Sequence, residues 1–128
     1  MKGPGVGHGR KGLVIDDEVD FLSEVTPLLE ERGYRVLTAR DGPSGLEAAA
    51  QETPALILLD IIMPRMNGYT VLSRLANDEK TRRIPVVMLT AKGESESILL
   101  TQQMRAKDYL IKPFAAEDLI SVVRKNIR

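Results

Sequence analysis

The sequence of 128 residues predicts an α/β fold, a parallel sheet covered by helices on both faces. Three observations carry this. Short apolar runs recur along the chain. Segments with apolar residues at helical spacing lie between them. Each strand-helix unit takes roughly twenty to thirty residues, the length that a crossover between parallel strands requires.

The elements follow in order. Residues 1–11 are glycine-rich, carry no apolar pattern and are expected to form a flexible tail or linker ahead of a domain over 12–128. Gly7, Gly9 and Gly12 fit G-x-G-x-x-G. That fingerprint must follow a strand and open a helix, whereas this one precedes the first strand, so it is rejected as a dinucleotide site. His8 lies in the tail and is read as a bystander. Leu13-Val14-Ile15 is the first strand. Phe21, Leu22, Val25, Leu28 and Leu29 then share one helical face, and Gly33 stands where that helix should stop. Pro27 falls inside this pattern and removes one backbone donor, so an irregularity rather than a break is expected near Val25 to Pro27. Val36 to Ala39 is the second strand. Leu56 to Leu59, four apolar residues in a row, reads as a third strand buried on both faces. Val86 to Leu89 and Tyr109 to Ile111 are the fourth and fifth. Leu119, Ile120, Val123 and Ile127 form the apolar stripe of a last helix.

Composition narrows the function. Eighteen Lys and Arg balance eighteen Asp and Glu, so no global field favours nucleic acid or an anionic membrane. There is no cysteine, which excludes disulfides, thiolate metal sites and a cysteine nucleophile. No apolar run approaches the ~20 residues of a membrane span, and no signal peptide is visible. A cytoplasmic domain is expected, with no direct nucleic-acid or membrane partner.

In an open parallel sheet, ligands bind beyond the carboxyl ends of the strands. The first strand ends in Asp16-Asp17, the third in Asp60, the fourth in Thr90-Ala91 and the fifth in Lys112-Pro113. The second ends in Ala39-Arg40-Asp41 and offers nothing comparable. Singly, these residues have ordinary explanations: a helix cap for Asp16 or Asp17, an Asx turn for Asp60 before Pro64 and Gly68, a solvated charge for Lys112. Jointly, four strands deliver charged or hydroxyl groups to one edge. Three carboxylates against one lysine leave a charge of about −2, which a hard divalent cation would neutralise. Magnesium suits such oxygen donors and completes its shell with water and phosphate oxygens. An aspartate can accept a phosphoryl group as an acyl phosphate, with Lys112 and Thr90 placed to bind its oxygens.

The segments LVIDDE (13–18), LLDIIMPRMNG (58–68), IPVVMLTA (84–91) and DYLIKPF (108–114) resemble the receiver domain of two-component response regulators, from about Lys11 to the C-terminus. The resemblance implies a flavodoxin-like doubly wound sheet of five strands in order 2-1-3-4-5, flanked by five helices. It implies Asp60 as the phosphoacceptor and Asp16, Asp17, Asp60 and the Ile62 carbonyl as ligands of Mg2+. Thr90 matches the switch hydroxyl, Lys112 the phosphate-binding lysine and Tyr109 the switch aromatic. Pro64 and Gly68 shape the turn after the third strand, and the Lys112–Pro113 bond is expected to be cis. The implied partners are a histidine kinase or histidine phosphotransfer protein, a downstream protein or fused output domain, and a second copy in a phosphorylation-dependent homodimer. The domain itself is expected to be a switch rather than an enzyme, with slow loss of the phosphoryl group because Ile62, beside Lys92, gives attacking water no hydrogen bond.

Some residues depart from the family pattern. Arg105 replaces a glycine at the end of the fourth expected helix, Ile98-Leu99-Leu100 places three apolar residues in succession, and Val122 falls off the last helix's stripe. Ile98 or Leu100, Arg105, Tyr109 and Val122 are therefore expected to form an output face. Two rivals stand beside this reading. One is a phosphorylation-independent interaction module on the same fold, which the complete set of cleft residues opposes. The other is a phosphoaspartate hydrolase of the haloacid dehalogenase type, which needs D-x-D where this chain has Asp60-Ile61-Ile62.

Overall fold

The computed structural model describes residues 7–91, 99–100, 102–104 and 106–128. Its strands are β1 (Lys11–Ile15), β2 (Arg35–Ala39), β3 (Leu56–Asp60), β4 (Val86–Ala91) and β5 (Asp108–Lys112). All pair in parallel, in the order β2-β1-β3-β4-β5. Four helices have bounds: α1 (Val19–Glu30), α2 (Gly42–Glu52), α3 (Gly68–Ala76) and α4 (Ala116–Asn126). A fifth was expected between β4 and β5. There, residues 99, 100, 102 and 103 are helical, while 92–98, 101 and 105 lie outside the described residues.

The central strand explains the architecture. Every residue of β3 is buried, because helices cover both sides of the sheet. Side chains alternate along each strand, so they feed two cores. Leu13, Ile15, Ile57, Leu59 and Met88 point into one, with Val71, Leu72 and Leu75 of α3. Val14, Leu56, Leu58, Val87 and Leu89 point into the other, with Leu22, Val25 and Leu29 of α1. Burying a side chain of this size contributes roughly 1.5–3 kcal/mol.

Local chemistry sets the helix ends. Asp41, which brings nothing to the cleft, caps α2: its carboxylate accepts from Ser44 N at 2.8 Å. Asn67 caps α3 by accepting from Thr70 N at 3.1 Å. α1 runs unbroken through Pro27, with the Thr26 hydroxyl donating to Leu22 O at 2.7 Å. Gly33 follows its end at φ 89°, a left-handed conformation that glycine takes at little cost.

Two expectations are corrected. The tail does not end as free chain: Gly7 N donates to Arg32 O and Gly9 N to Gly33 O, both at 2.8 Å, and β1 begins at Lys11. The carbonyls after α1 need donors, and these amides supply them. Val122 is not off the buried stripe. It is 9% exposed and packs in the second core with Leu119, Ile120 and Val123. α4 touches both β5 and α1, so it buries a broader face than one stripe. Asn126 Nδ2 reinforces this by donating to Asp108 Oδ2 at 3.0 Å, at the start of β5, and to Val122 O at 2.8 Å.

Candidate functional site

The carboxyl ends of β1, β3, β4 and β5 meet in one cleft. A hollow of about 310 Å³ there is lined by residues including Asp17, Glu18, Asp60, Ile62, Ala91 and Lys112. Asp16 follows β1 and is fully buried, its backbone N–H held by Ala39 O of β2 at 3.0 Å. Its Oδ1 accepts from Glu18 N at 2.9 Å, which fixes the rotamer. Asp60 ends β3 opposite Leu89 of β4 and is 8% exposed. Carboxylate oxygens of Asp16, Asp17 and Asp60 all lie within 4.8 Å of one another.

Lys112, at the end of β5, reaches across this cluster. Its Nζ is 2.7 Å from Asp16 Oδ2, 3.4 Å from Glu18 Oε1 and 3.6 Å from Asp60 Oδ1. The ammonium also lies 4.0 Å from the centroid of the Phe21 ring, which stacks edge-on against Phe114 at 5.8 Å. A cation over an aromatic face is attracted to it, so the ring pair steadies the lysine. Burial pulls the Lys112 pKa down, but the bond to Asp16 and the charges of Asp60, Asp16 and Glu18 outweigh it and raise the pKa overall.

Asp60 bears the electrostatic cost. Burial and then the charge of Asp16 push its pKa up to about 7; Lys112 opposes them and Asp17 adds to them. A carboxyl raised this far fits a site that a cation completes. The donors are all hard oxygens, so the residues present suit magnesium.

The remaining residues surround the cleft. Thr90 is buried, and its hydroxyl lies 3.5 Å from Ala91 O, too long a contact to hold it firmly. Tyr109 pairs with Met88 in β5, one alternation before Thr90 pairs with Ile111, so Tyr109 and Thr90 share a face of the sheet. Ile62 is 64% exposed at the cleft mouth. The loop behind it turns through exposed Pro64, and Gly68 N donates to Ile61 O at 2.7 Å. A Cβ on Gly68 would collide with Asp60 O, so only glycine lets α3 start this close to β3. The Lys112–Pro113 bond is cis. Of the expected output residues, Leu100 is exposed, Tyr109 half-buried and Val122 buried, and Ile98 and Arg105 lie outside the described residues, as does Lys92.

The sequence reading missed Glu18, Phe21 and Phe114. Glu18 directly follows the acidic pair, and Phe21 and Phe114 are the chain's two phenylalanines, yet no periodicity links them to Lys112.

Comparison with known proteins agrees with this geometry. The family model of the response regulator receiver domain matches residues 13–124. The DNA-binding dual master transcriptional regulator RpaA of Synechocystis sp. is 42% identical over 116 residues, 91% of this chain and 48% of RpaA. Protein PilH of Pseudomonas aeruginosa is 35% identical over 111 residues, 87% of this chain and 92% of PilH. The chain thus spans about half the length of RpaA and nearly all of PilH. Among solved structures, chemotaxis protein CheY4 of Vibrio cholerae has a TM-score of 0.87 at 28% identity, over 93% of this chain and 99% of CheY4. The receiver domain of the sensor histidine kinase PA1611 of Pseudomonas aeruginosa, which has a magnesium ion coordinated in its active-site cleft, has a TM-score of 0.85 at 27% identity, over 92% of this chain and 97% of that one. The family match takes in every cleft residue from Asp16 to Lys112, and the chain belongs to the response regulator receiver domain family of two-component signalling.

Proposed function

We propose that Asp60 accepts a phosphoryl group from a phosphohistidine on a histidine kinase or phosphotransfer protein. The observation that carries this is the meeting of three carboxylates within 4.8 Å and one lysine at the end of a buried strand. The Asp60 carboxylate oxygen attacks phosphorus, the P–N bond to the donor imidazole breaks, and its electron pair stays on the imidazole nitrogen. Asp16, Asp17, Asp60 and the Ile62 carbonyl would hold Mg2+, which when bound neutralises charge on the carboxylates and the phosphoryl oxygens.

The chain's own residues do the rest. β3 fixes the nucleophile, a positioning effect that phosphoryl transfer chiefly requires. Lys112 is already within 3.6 Å of Asp60 and exchanges a carboxylate for a phosphoryl oxygen. Thr90, weakly engaged, turns its hydroxyl to another. Tyr109 shares Thr90's face of the sheet and repacks when that hydroxyl moves. This biases a two-state equilibrium only by the difference in phosphate binding between the states. The output face is Leu100 and Tyr109, with Val122 as its buried floor and Ile98 and Arg105 assigned from sequence alone. It meets a downstream protein, a fused output domain or a second copy. RpaA, twice as long as the matched region, is named as DNA-binding; a DNA-binding output beyond this receiver follows that precedent. Water attacks the acyl phosphate past Ile62, which offers it no hydrogen bond, so hydrolysis is slow and the domain acts as a switch rather than a turnover enzyme.

The test is intact-protein mass spectrometry after incubation with acetyl phosphate and Mg2+. One added phosphoryl group is expected, lost in Asp60→Ala and without the metal. No gain with acetyl phosphate or with a phosphohistidine donor would favour the phosphorylation-independent interaction module.

A further inference from the structure

The amino ends of β4 and β5, across the sheet from Asp60, border a hollow that the phosphorylation chemistry does not use. It measures about 530 Å³, within the roughly 300–1,000 Å³ of small-molecule sites. The end of α3 supplies Leu75 and Ala76 to its wall, and the segment entering β4 supplies Ile84, Pro85 and Val86. Met104, just before β5, adds a flexible apolar side chain. Thr81 and Asn126 line it as well, but both are buried and their donors are already used. The Thr81 hydroxyl donates to Leu75 O at 2.7 Å, and Asn126 Nδ2 donates to Asp108 Oδ2 at 3.0 Å and to Val122 O at 2.8 Å. What remains open to a ligand is apolar: Ala76 is exposed, and Pro85 and Met104 are half-buried.

The rim of the same hollow is cationic. Arg82, Arg83, Lys107 and Arg128 all line it, and all four are exposed. Arg128 Nη1 donates to Arg83 O at 3.0 Å, which sets this guanidinium against the segment that carries Arg82 and Arg83. The Arg128 backbone oxygen is taken up elsewhere, accepting from Arg10 Nη1 at 2.9 Å. None of the four cations forms an ion pair among the described residues, and no acid is among the described residues of the lining. A concave wall that carries charge of one sign concentrates counter-ions of the other. Arginine forks match the oxygens of a carboxylate or a phosphate. The described lining also holds no aromatic ring for a nucleobase to stack on, so its aliphatic wall suits a flexible hydrocarbon chain.

We propose that this hollow binds an aliphatic anion, a hydrocarbon chain that ends in a carboxylate or a phosphate. The chain lies against Ala76, Pro85 and Met104, and the head group meets Arg83, Lys107 and Arg128 at the rim. The site is separate from Asp60 and needs no divalent metal.

The test is a backbone-amide NMR titration of the full chain at constant ionic strength, with each amphiphile kept below its micelle-forming concentration. Decanoate is one arm and decyl phosphate the second. Decyltrimethylammonium, which has the chain with the opposite charge, and acetate, which has the charge without the chain, are the controls. Saturable shifts at Ala76, Arg83, Val86 and Lys107 are expected in the anionic arms alone, and the tighter arm names the head group. The double variant Arg83→Gln/Lys107→Gln, at two exposed positions, should weaken that binding about tenfold, the loss of one hydrogen bond to a charged group. It should leave the thermal midpoint and acetyl phosphate labelling of Asp60 unchanged. No saturation in either anionic arm, the same shifts with decyltrimethylammonium or with acetate, or unchanged affinity in the folded double variant would overturn the site.

Discussion

At the residue scale, Asp60 and Lys112 cannot be understood apart. The lysine is shared among Asp16, Glu18 and Asp60, and its shortest contact is to Asp16, so Asp60 is left under-compensated. Burial, and then the charge of Asp16, push its carboxyl up to about 7 from the ordinary 3.8, more than Lys112 can offset. The sign follows from proton counting. Between those values the folded state keeps a proton that the unfolded state releases, so stability falls as pH rises through the window and stays low above it. In EDTA, Asp60→Asn should flatten this slope and raise stability near pH 8 by on the order of 2 kcal/mol, allowing for solvent screening. Urea midpoints from about pH 4 to 8 measure it; an unchanged slope would place the charge cost elsewhere in the cleft. The meeting of Asp16, Asp17, Asp60 and Lys112 was legible because the register of a parallel sheet turns strand ends into neighbours. The Phe21–Phe114 support was not, since it joins a helix to a loop through no repeating pattern.

At the element scale, the helices are fastened by short polar contacts as well as by packing. α3 begins beside β3, where Asn67 caps it. Asn67→Ala should cost about 1 kcal/mol of global stability. It should also loosen the loop from Ile62 to Gly68, visible as faster amide exchange there; equal exchange in both proteins would show that packing alone holds this helix start. Leu119 of α4 is fully buried, and Leu119→Ala should cost roughly 2–5 kcal/mol in chemical denaturation. The five strands could be read from apolar runs because β3 and its neighbours are buried on both faces. Val122 was misread because a single 3.6-residue stripe assumes one contact surface, and α4 has two. The bonded end of the tail was invisible for a different reason: Gly7 and Gly9 act through backbone N–H groups, which leave no side-chain signal.

At the scale of the whole molecule, equal numbers of acidic and basic residues conceal an uneven distribution. Asp16, Asp17, Glu18 and Asp60 crowd one edge of the sheet, and Arg10, Arg32 and Arg124 stand at the other. No helix among the described residues is long and apolar enough to cross a membrane. A cation that binds the acidic edge only when the chain is folded must stabilise the fold by mass action. Mg2+ at one hundred times its dissociation constant should add about 2.7 kcal/mol, read as a rise in thermal midpoint near pH 8. Asp17→Asn should remove most of that rise; a full rise in the variant would mean that the ion sits elsewhere.

The ring beneath the lysine has a practical consequence. The chain contains no tryptophan, and Phe21 lies half-buried at the cleft wall, 4.0 Å from the Lys112 ammonium. Tryptophan in place of Phe21 would be the protein's sole indole emitter, sitting against a cation that must change partners whenever the cleft is filled. If Asp60 is phosphorylated as proposed, that indole's fluorescence would register arrival and departure of the phosphoryl group in real time, without a label and without a downstream partner.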